Sequence, residues 1–260
     1  MSLARAAPAG FTLRPGTDRA GGGLATDVFA VARDGEALVC KRLGPRALSE
    51  PWMRERLTAE GHLLGLLDGR GAPRLVAAGE DTHGPWLVME RIAWPPLAAR
   101  MARTREADPG WLAKAAGAAF AALAAVHAAG VVHGDVSPAN VLVAEDAAQA
   151  TLVDFGLALA PSMPPLPAGP FRGTLLYAAP EVARGEPFDH RADLFAMAAS
   201  LLHVWSGEAP RPQATPAAML LTAGDDGIDA WAARAAQGLP PETARALVAR
   251  CAFDAADRLA

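Results

Sequence analysis

The stretch "VVHGDVSPANVLVAEDAAQATLVDFG", residues 131–156, sets Asp135, Asn140 and Asp154 among valines, leucines and alanines. A carboxylate removed from water is costly, or titrates far from its usual range, unless a cation or hydrogen-bond donors meet it. These side chains therefore ask for a partner. Asp135 and Asn140 are five apart in a loop after an alanine-rich segment, and Asp154 comes fourteen later, closing a short apolar run just before Phe155-Gly156. Phosphoryl transfer needs one carboxylate to orient and deprotonate the attacking hydroxyl, and an amide with a second carboxylate to hold magnesium on the phosphates. The three residue types suit those three jobs.

Working outward, the flanks of this stretch divide the chain in two. On the N-terminal side, residues 11–43 alternate and turn like strands: "FTL", a glycine run at 21–23, "DVFAVAR", the Asp34-Gly35 hairpin signal, then "EALVCKRL". A helix is expected from about 50 to 67, with Ser49 as its cap and Pro51 in its first turn, and strand-like pieces return at 74–78 and 86–92. Beyond "AWPPL" the pattern turns helical at 110–129 and 191–206, with a short strand pair at 141–143 and 151–153 between them. Residues 161–173, "PSMPPLPAGPFRG", read as a surface loop of restricted flexibility. The expectation is an α+β chain: a small antiparallel-sheet lobe with one helix over about 1–91, a hinge near 90–96, and a mainly helical lobe over 97–260.

Bulk properties narrow the functions available. An apolar share of 52% with 20% charged residues excludes wholesale disorder. A formal net charge of −4 gives no broad attraction for nucleic acid or an anionic membrane, so neither is expected as a partner. Cys40 and Cys251 are too few for a disulfide framework, and no His/Cys spacing resembles a zinc site. The opening "MSLARAAPAGF" is broken by Pro8 and Gly10 and does not read as a secretory signal, so a cytoplasmic setting is expected. Residues 112–132 come nearest to a membrane span, but Lys114, His127 and the glycines favour a buried amphipathic helix.

Three features upstream bear on the same chemistry. "GGGLATDV" places Gly21, Gly23 and Val28 between strand-like segments, where glycines let backbone N–H groups approach phosphates. Lys41 lies within "LVCKRL" on the opposite strand face from Cys40 and Arg42. In the helix that follows, Met53, Leu57, Leu64 and Leu67 form an apolar stripe with Glu60 in its middle. A glutamate there needs a cation, and Lys41 on the adjacent strand can supply one.

Taken in order, Gly21/Gly23/Val28, Lys41, Glu60, "HGDVSPAN", "DFG" at 154–156, "GTLLYAAPE" at 173–181, "DLFAMA" from Asp193 and "DRLA" around Arg258 resemble the protein kinase family in its bacterial eukaryotic-like Ser/Thr form. The resemblance covers the chain from about residue 11 onward as one catalytic domain with a bilobal fold. It implies Lys41 on the nucleotide phosphates and paired with Glu60, Asp135 as catalytic base, and Asn140 and Asp154 as ligands of Mg2+, with Mn2+ a possible substitute. Val28, Val39 and Leu142 would enclose the adenine of ATP, and the backbone of Glu90 and Ile92, just past Met89 as gatekeeper, would bind its edge. It further implies a buried Glu181–Arg258 pair, and Asp193 holding the backbone of the catalytic loop. The implied partner is a protein substrate with a Ser or Thr acceptor.

Departures from the family pattern bear on mechanism. Gly134 stands where many kinases carry the arginine that pairs with a phosphate on the activation loop, so activity without that phosphorylation is expected. Ser137 replaces the lysine that steadies the transferring phosphoryl group, for which Arg172 is the substitute considered, and Thr26 replaces the third glycine of the loop. Thr174 matches the substrate-facing threonine, favouring a Ser/Thr acceptor. Two other readings use the same residues: a small-molecule phosphotransferase, which would share "HGD" and the following asparagine but lack "GTLLYAAPE", and a nucleotide-binding pseudokinase with a regulatory role.

Overall fold

The computed structural model describes residues 6–14, 26–106, 108–166, 171–211, 215, 219 and 227–258. The chain divides into two compact units, one comprising residues up to Ala93 together with Ala160–Ala168, the other Trp94–Leu159 with Gly169 onward. Gly21 and Gly23 lie outside the described residues.

In the first unit, strands β1 (Thr12–Leu13), β2 (Thr26–Arg33), β3 (Glu36–Leu43), β4 (Leu75–Asp81) and β5 (Gly84–Glu90) form one antiparallel sheet in the order β1-β2-β3-β5-β4. Asp34 and Gly35 both take positive φ, 52° and 83°, which matches the right-handed twist of the β2–β3 hairpin. Against the strand pieces expected at 74–78 and 86–92, β4 runs three residues further and β5 begins and ends two residues earlier. Asp81 is pinned at the turn, accepting His83 N–H at 2.8 Å and clasping Arg42, so the turn closes at Thr82–His83 and Ile92 falls beyond the strand.

Alternation gives this sheet two different faces. Phe29, Val31, Leu38, Cys40 and Val88 form a buried cluster on one, capped by Phe11 and Trp86. Val28, Val39, Lys41, Leu87 and Met89 lie on the other, since directly paired residues of antiparallel strands share a face and Val28 pairs with Lys41, Lys41 with Leu87, and Val39 with Met89. Helix α2 (Pro51–Leu67), preceded by the one-turn α1 (Pro45–Leu48), covers part of that second face. Gly61 permits the close approach: a Cβ there would stand 2.7 Å from Leu87 Cδ2.

Two expectations about α2 need correction. Ser49 does not open it; its hydroxyl donates to Arg46 O at 2.7 Å and closes α1, while Glu50 precedes Pro51 with no side-chain cap bond. Of the apolar stripe, Leu57, Leu64 and Leu67 are buried, whereas Met53, one turn from the helix start, is only half-buried.

The second unit is built on α3 (Pro109–Ala128) and α5 (His190–Ser206), with α4 (Pro180–Ala183) between them in sequence and the hairpin β6 (Val141–Val143) and β7 (Ala150–Leu152) beside α3. Asp108 caps α3 by accepting Gly110 N–H at 2.8 Å, with Pro109 at the first helical position. By length and composition α3 could cross a membrane. Here Leu112, Ala115, Ala119, Ala122, Leu123 and Val126 bury one face in the protein core. Small alanines let α3 lie close to its neighbours. Helix α5 is buried almost all round, from Ala192 to Val204, as befits the central helix of a bundle.

Candidate active site

Two sets of polar side chains stand out against these cores, one in each unit. In the first, Lys41 Nζ donates to both carboxylate oxygens of Glu60, at 2.7 and 2.8 Å, with both side chains almost completely buried. Strand alternation and the helix stripe thus deliver the pairing expected from sequence. Arg56, one helical turn before Glu60, is also buried; its Nη1 donates to Pro164 O, and Glu60 attracts its charge. Sequence inspection missed Arg56, although a separation of four puts it on the Glu60 face of the helix. Val28, Val39 and Met89 share the Lys41 face, and Glu90 N–H is engaged by Arg74 O at 2.9 Å.

In the second unit the loop residues His133 and Gly134 are held from beneath by α5. Buried Asp193 accepts His133 N–H at 2.7 Å and Gly134 N–H at 2.9 Å, and contacts His127 Nε2 at 2.9 Å. His133 in turn bonds Val153 O through Nε2 at 3.1 Å and packs its ring on fully buried Phe155, centroids 4.7 Å apart. One carboxylate on a rigid helix therefore orders the loop before Asp135, and one imidazole links that loop to the segment carrying Asp154. From sequence His127 counted only against a membrane span, and nothing in its local pattern points to a contact with Asp193.

Asp135 is surrounded by donors. Thr174 N–H donates to its Oδ1 at 2.7 Å and the Thr174 hydroxyl also bonds the carboxylate. Asn140 Nδ2 donates to the Asp135 carbonyl at 2.9 Å and to Oδ2 at 3.3 Å. Burial raises the Asp135 pKa above the usual carboxylate range and the nearby Asp154 charge adds to that, while the Thr174 bonds and His133 oppose it. The two acids thus sense each other.

The picture of two buried acids is corrected in one respect. Asp135 is half-buried but Asp154 is exposed, because Val153 N–H is tied to Asn140 O at 2.9 Å and Asp154 then takes a left-handed φ of 67° that turns the chain. A non-glycine residue in that region is under strain of order 1–3 kcal/mol, which the surrounding packing must hold in place. Asp154 offers a carboxylate, and Asn140, its Nδ2 engaged, offers Oδ1. Such hard oxygen donors suit magnesium, which takes one or two protein oxygens and fills its shell with phosphate and water. Leu142 is half-buried on β6, paired with Thr151 and bridged to Pro96.

Around this core the remaining motif residues take structural roles. Arg258 donates to Glu181 at 2.5 and 2.9 Å in a buried pair, and its guanidinium lies over the Phe195 ring at 5.0 Å. Ser137 is buried, and Arg172 is half-buried. Gly134 has φ 75°, and a Cβ there would stand 2.7 Å from Leu157 O.

A family model described as the protein kinase domain matches residues 18–251. The chain belongs to the protein kinase domain family. Among curated proteins, this kinase is 28% identical over 209 residues to the serine/threonine-protein kinase PknL of Mycobacterium tuberculosis, covering 79% of this chain and 51% of that protein. It is 29% identical over 208 residues to a probable serine/threonine-protein kinase PknB of Corynebacterium glutamicum, covering 76% and 32%. It is 35% identical over 164 residues to the DNA damage-responsive serine/threonine-protein kinase RqkA of Deinococcus radiodurans, covering 60% and 24%. The aligned part spans about half or less of these relatives' own length. An antiparallel five-stranded sheet with one long helix, followed by a helical unit, is the α+β kinase architecture expected from the motifs.

Proposed function

We propose that this kinase domain transfers the γ-phosphoryl group of ATP, with a divalent metal, to a serine or threonine hydroxyl of a protein. The observation that carries the reading is the setting of Asp135: an acid raised above its ordinary pKa, fixed by Thr174 and Asn140, on a loop that Asp193 immobilises. A base poised nearer neutrality accepts a hydroxyl proton more readily. Lys41, kept in place by Glu60, would neutralise nucleotide phosphates, and Asp154 with Asn140 would hold Mg2+, with Mn2+ a workable replacement; the metal supplies charge neutralisation on the phosphates. Val28, Val39, Met89 and Leu142, with the Glu90 and Ile92 backbone, would receive the base of ATP. Thr174, bonded to the base itself, and the ordered turn after it favour a peptide acceptor over a small alcohol.

Activity without activation-loop phosphorylation is part of the same proposal. Gly134 supplies no guanidinium to receive a phosphate, while Arg56 holds the Pro164 carbonyl with no phosphate required. The test is radiolabel transfer from ATP by the purified chain to a histone mixture and, separately, to a panel of sugars and aminoglycosides, before and after phosphatase treatment. Protein labelling that survives phosphatase and disappears in Asp135→Asn is expected. Labelling of the small alcohols alone would refute the protein-kinase reading, and nucleotide binding without transfer would favour a pseudokinase.

A further inference from the structure

The turn that follows Thr174 is a short 3-10 helix, Leu175–Tyr177. It is tied to the core by two side chains that the motifs do not include, one bonding its backbone and one its Tyr177 hydroxyl. Arg211 Nη1 donates to Leu175 O and to Leu176 O, each at 3.2 Å, and Tyr177 Oη meets His203 Nδ1 at 2.9 Å. Arg211 is only 5% exposed and its guanidinium lies over the Phe195 ring at 6.0 Å. Burial pushes its pKa down to about 10, so it remains charged at neutral pH, with Glu181 the nearby carboxylate already committed to Arg258.

Burying a guanidinium beside carbonyls costs more than filling the same volume with a leucine or methionine. What the arginine adds is geometry. One nitrogen reaches two consecutive carbonyls, a contact no apolar side chain can make, and so fixes the path of the backbone at 175–176. Thr174, directly before, donates its amide and hydroxyl to Asp135. On the other side the turn joins an apolar cluster in which Phe171, Ala178 and Met219 pack on Leu175 and Ala183.

We propose that Arg211 is a positioning residue for phosphoryl transfer: by clamping the Leu175 and Leu176 carbonyls it holds Thr174 on Asp135 and sets the turn against which the acceptor segment of a protein substrate docks. The inference rests on the protein-kinase reading above.

The experiment compares wild type with Arg211→Gln and Arg211→Lys, using a histone mixture as acceptor, and measures KM for acceptor, KM for ATP, kcat and the amide exchange of Thr174. Arg211→Gln is expected to raise acceptor KM at least tenfold with ATP KM within twofold, and to speed exchange of the Thr174 amide at least tenfold; Arg211→Lys, which keeps a cationic donor, is expected to recover most of both. Unchanged acceptor KM and Thr174 exchange in Arg211→Gln would overturn the proposal, as would an equal rise of both KM values with a lowered melting temperature, the mark of a merely structural role. If Arg211→Gln does not fold, Arg211→Lys carries the test: wild-type exchange with a raised ATP KM overturns it. Should the wild type transfer nothing to protein, the function proposed above fails, and the Thr174 exchange alone still decides whether Arg211 clamps the turn.

Discussion

Charge balance around Glu60 gives a sharp prediction. Lys41 and Arg56 both face this one buried carboxylate, Lys41 through two short bonds and Arg56 through its charge. At an effective dielectric constant near 20, two unit charges about 2.8 Å apart attract by roughly 6 kcal/mol, most of it offset by desolvation. Removing the shared anion, in Glu60→Gln, leaves two buried cations facing a neutral amide, and the expected loss is about 3–5 kcal/mol. Lys41→Met leaves Glu60 with Arg56, and the methionine refills the lysine stem, so about 1–3 kcal/mol is expected. The double variant Lys41→Met/Arg56→Met takes both of these cations from the carboxylate and should cost more than Lys41→Met alone, approaching Glu60→Gln. Urea unfolding at 25 °C, supported by melting curves at about 2–4 °C per kcal/mol for a chain of this size, measures the series. If Glu60→Gln is as stable as Lys41→Met, or the double variant no worse than Lys41→Met alone, Arg56 does not share the carboxylate and the reasoning is wrong.

Three further outcomes are expected. Asp135→Asn should lower turnover by about 10²–10⁴-fold yet raise the melting temperature at pH 7; because the folded pKa lies above the unfolded one, the ionised acid weakens the fold on the neutral side, and the stability gain should vanish as pH falls through the unfolded value near 4. Thr174→Val removes the hydroxyl bond that favours ionised Asp135, so the acid limb of kcat/KM should move to higher pH, and an unmoved limb would separate Asp135 from that titration. Gly134→Ala should cost about 1–2 kcal/mol for the left-handed backbone, with further loss from the contact with Leu157 O; wild-type stability in urea would show that the loop relaxes freely.

Much of this chain is legible without coordinates because its signals are local. Alternation in "EALVCKRL" decides which face Lys41 takes, since successive strand side chains must point opposite ways. Helical spacing decides that Glu60 joins Leu57 and Leu64, and the Asp34-Gly35 pair closes its hairpin through two residues that tolerate positive φ. The order of the motifs around Asp135, Asn140 and Asp154 likewise names the chemistry, because each job calls for a particular donor or acceptor type.

What sequence could not decide are contacts closed over long chain separations and the exposure they produce. The premise of two equally buried acids failed at Asp154, whose φ is turned by a bond between Val153 and Asn140 that no pattern in "TLVDFG" reveals. Ser49 looks like a cap for α2 and instead serves α1, because whether its hydroxyl accepts from the first N–H groups of a helix or donates to a preceding carbonyl depends on the path of the chain around it. Nothing in the local pattern singles out Arg56 or Arg211, yet both are buried, one against Pro164 O and one under Leu175 and Leu176. A side chain's local pattern determines the direction in which it leaves the backbone. Whether it meets water, a carbonyl or a carboxylate depends on segments tens of residues away, and those are brought to it only by the packing of the whole unit.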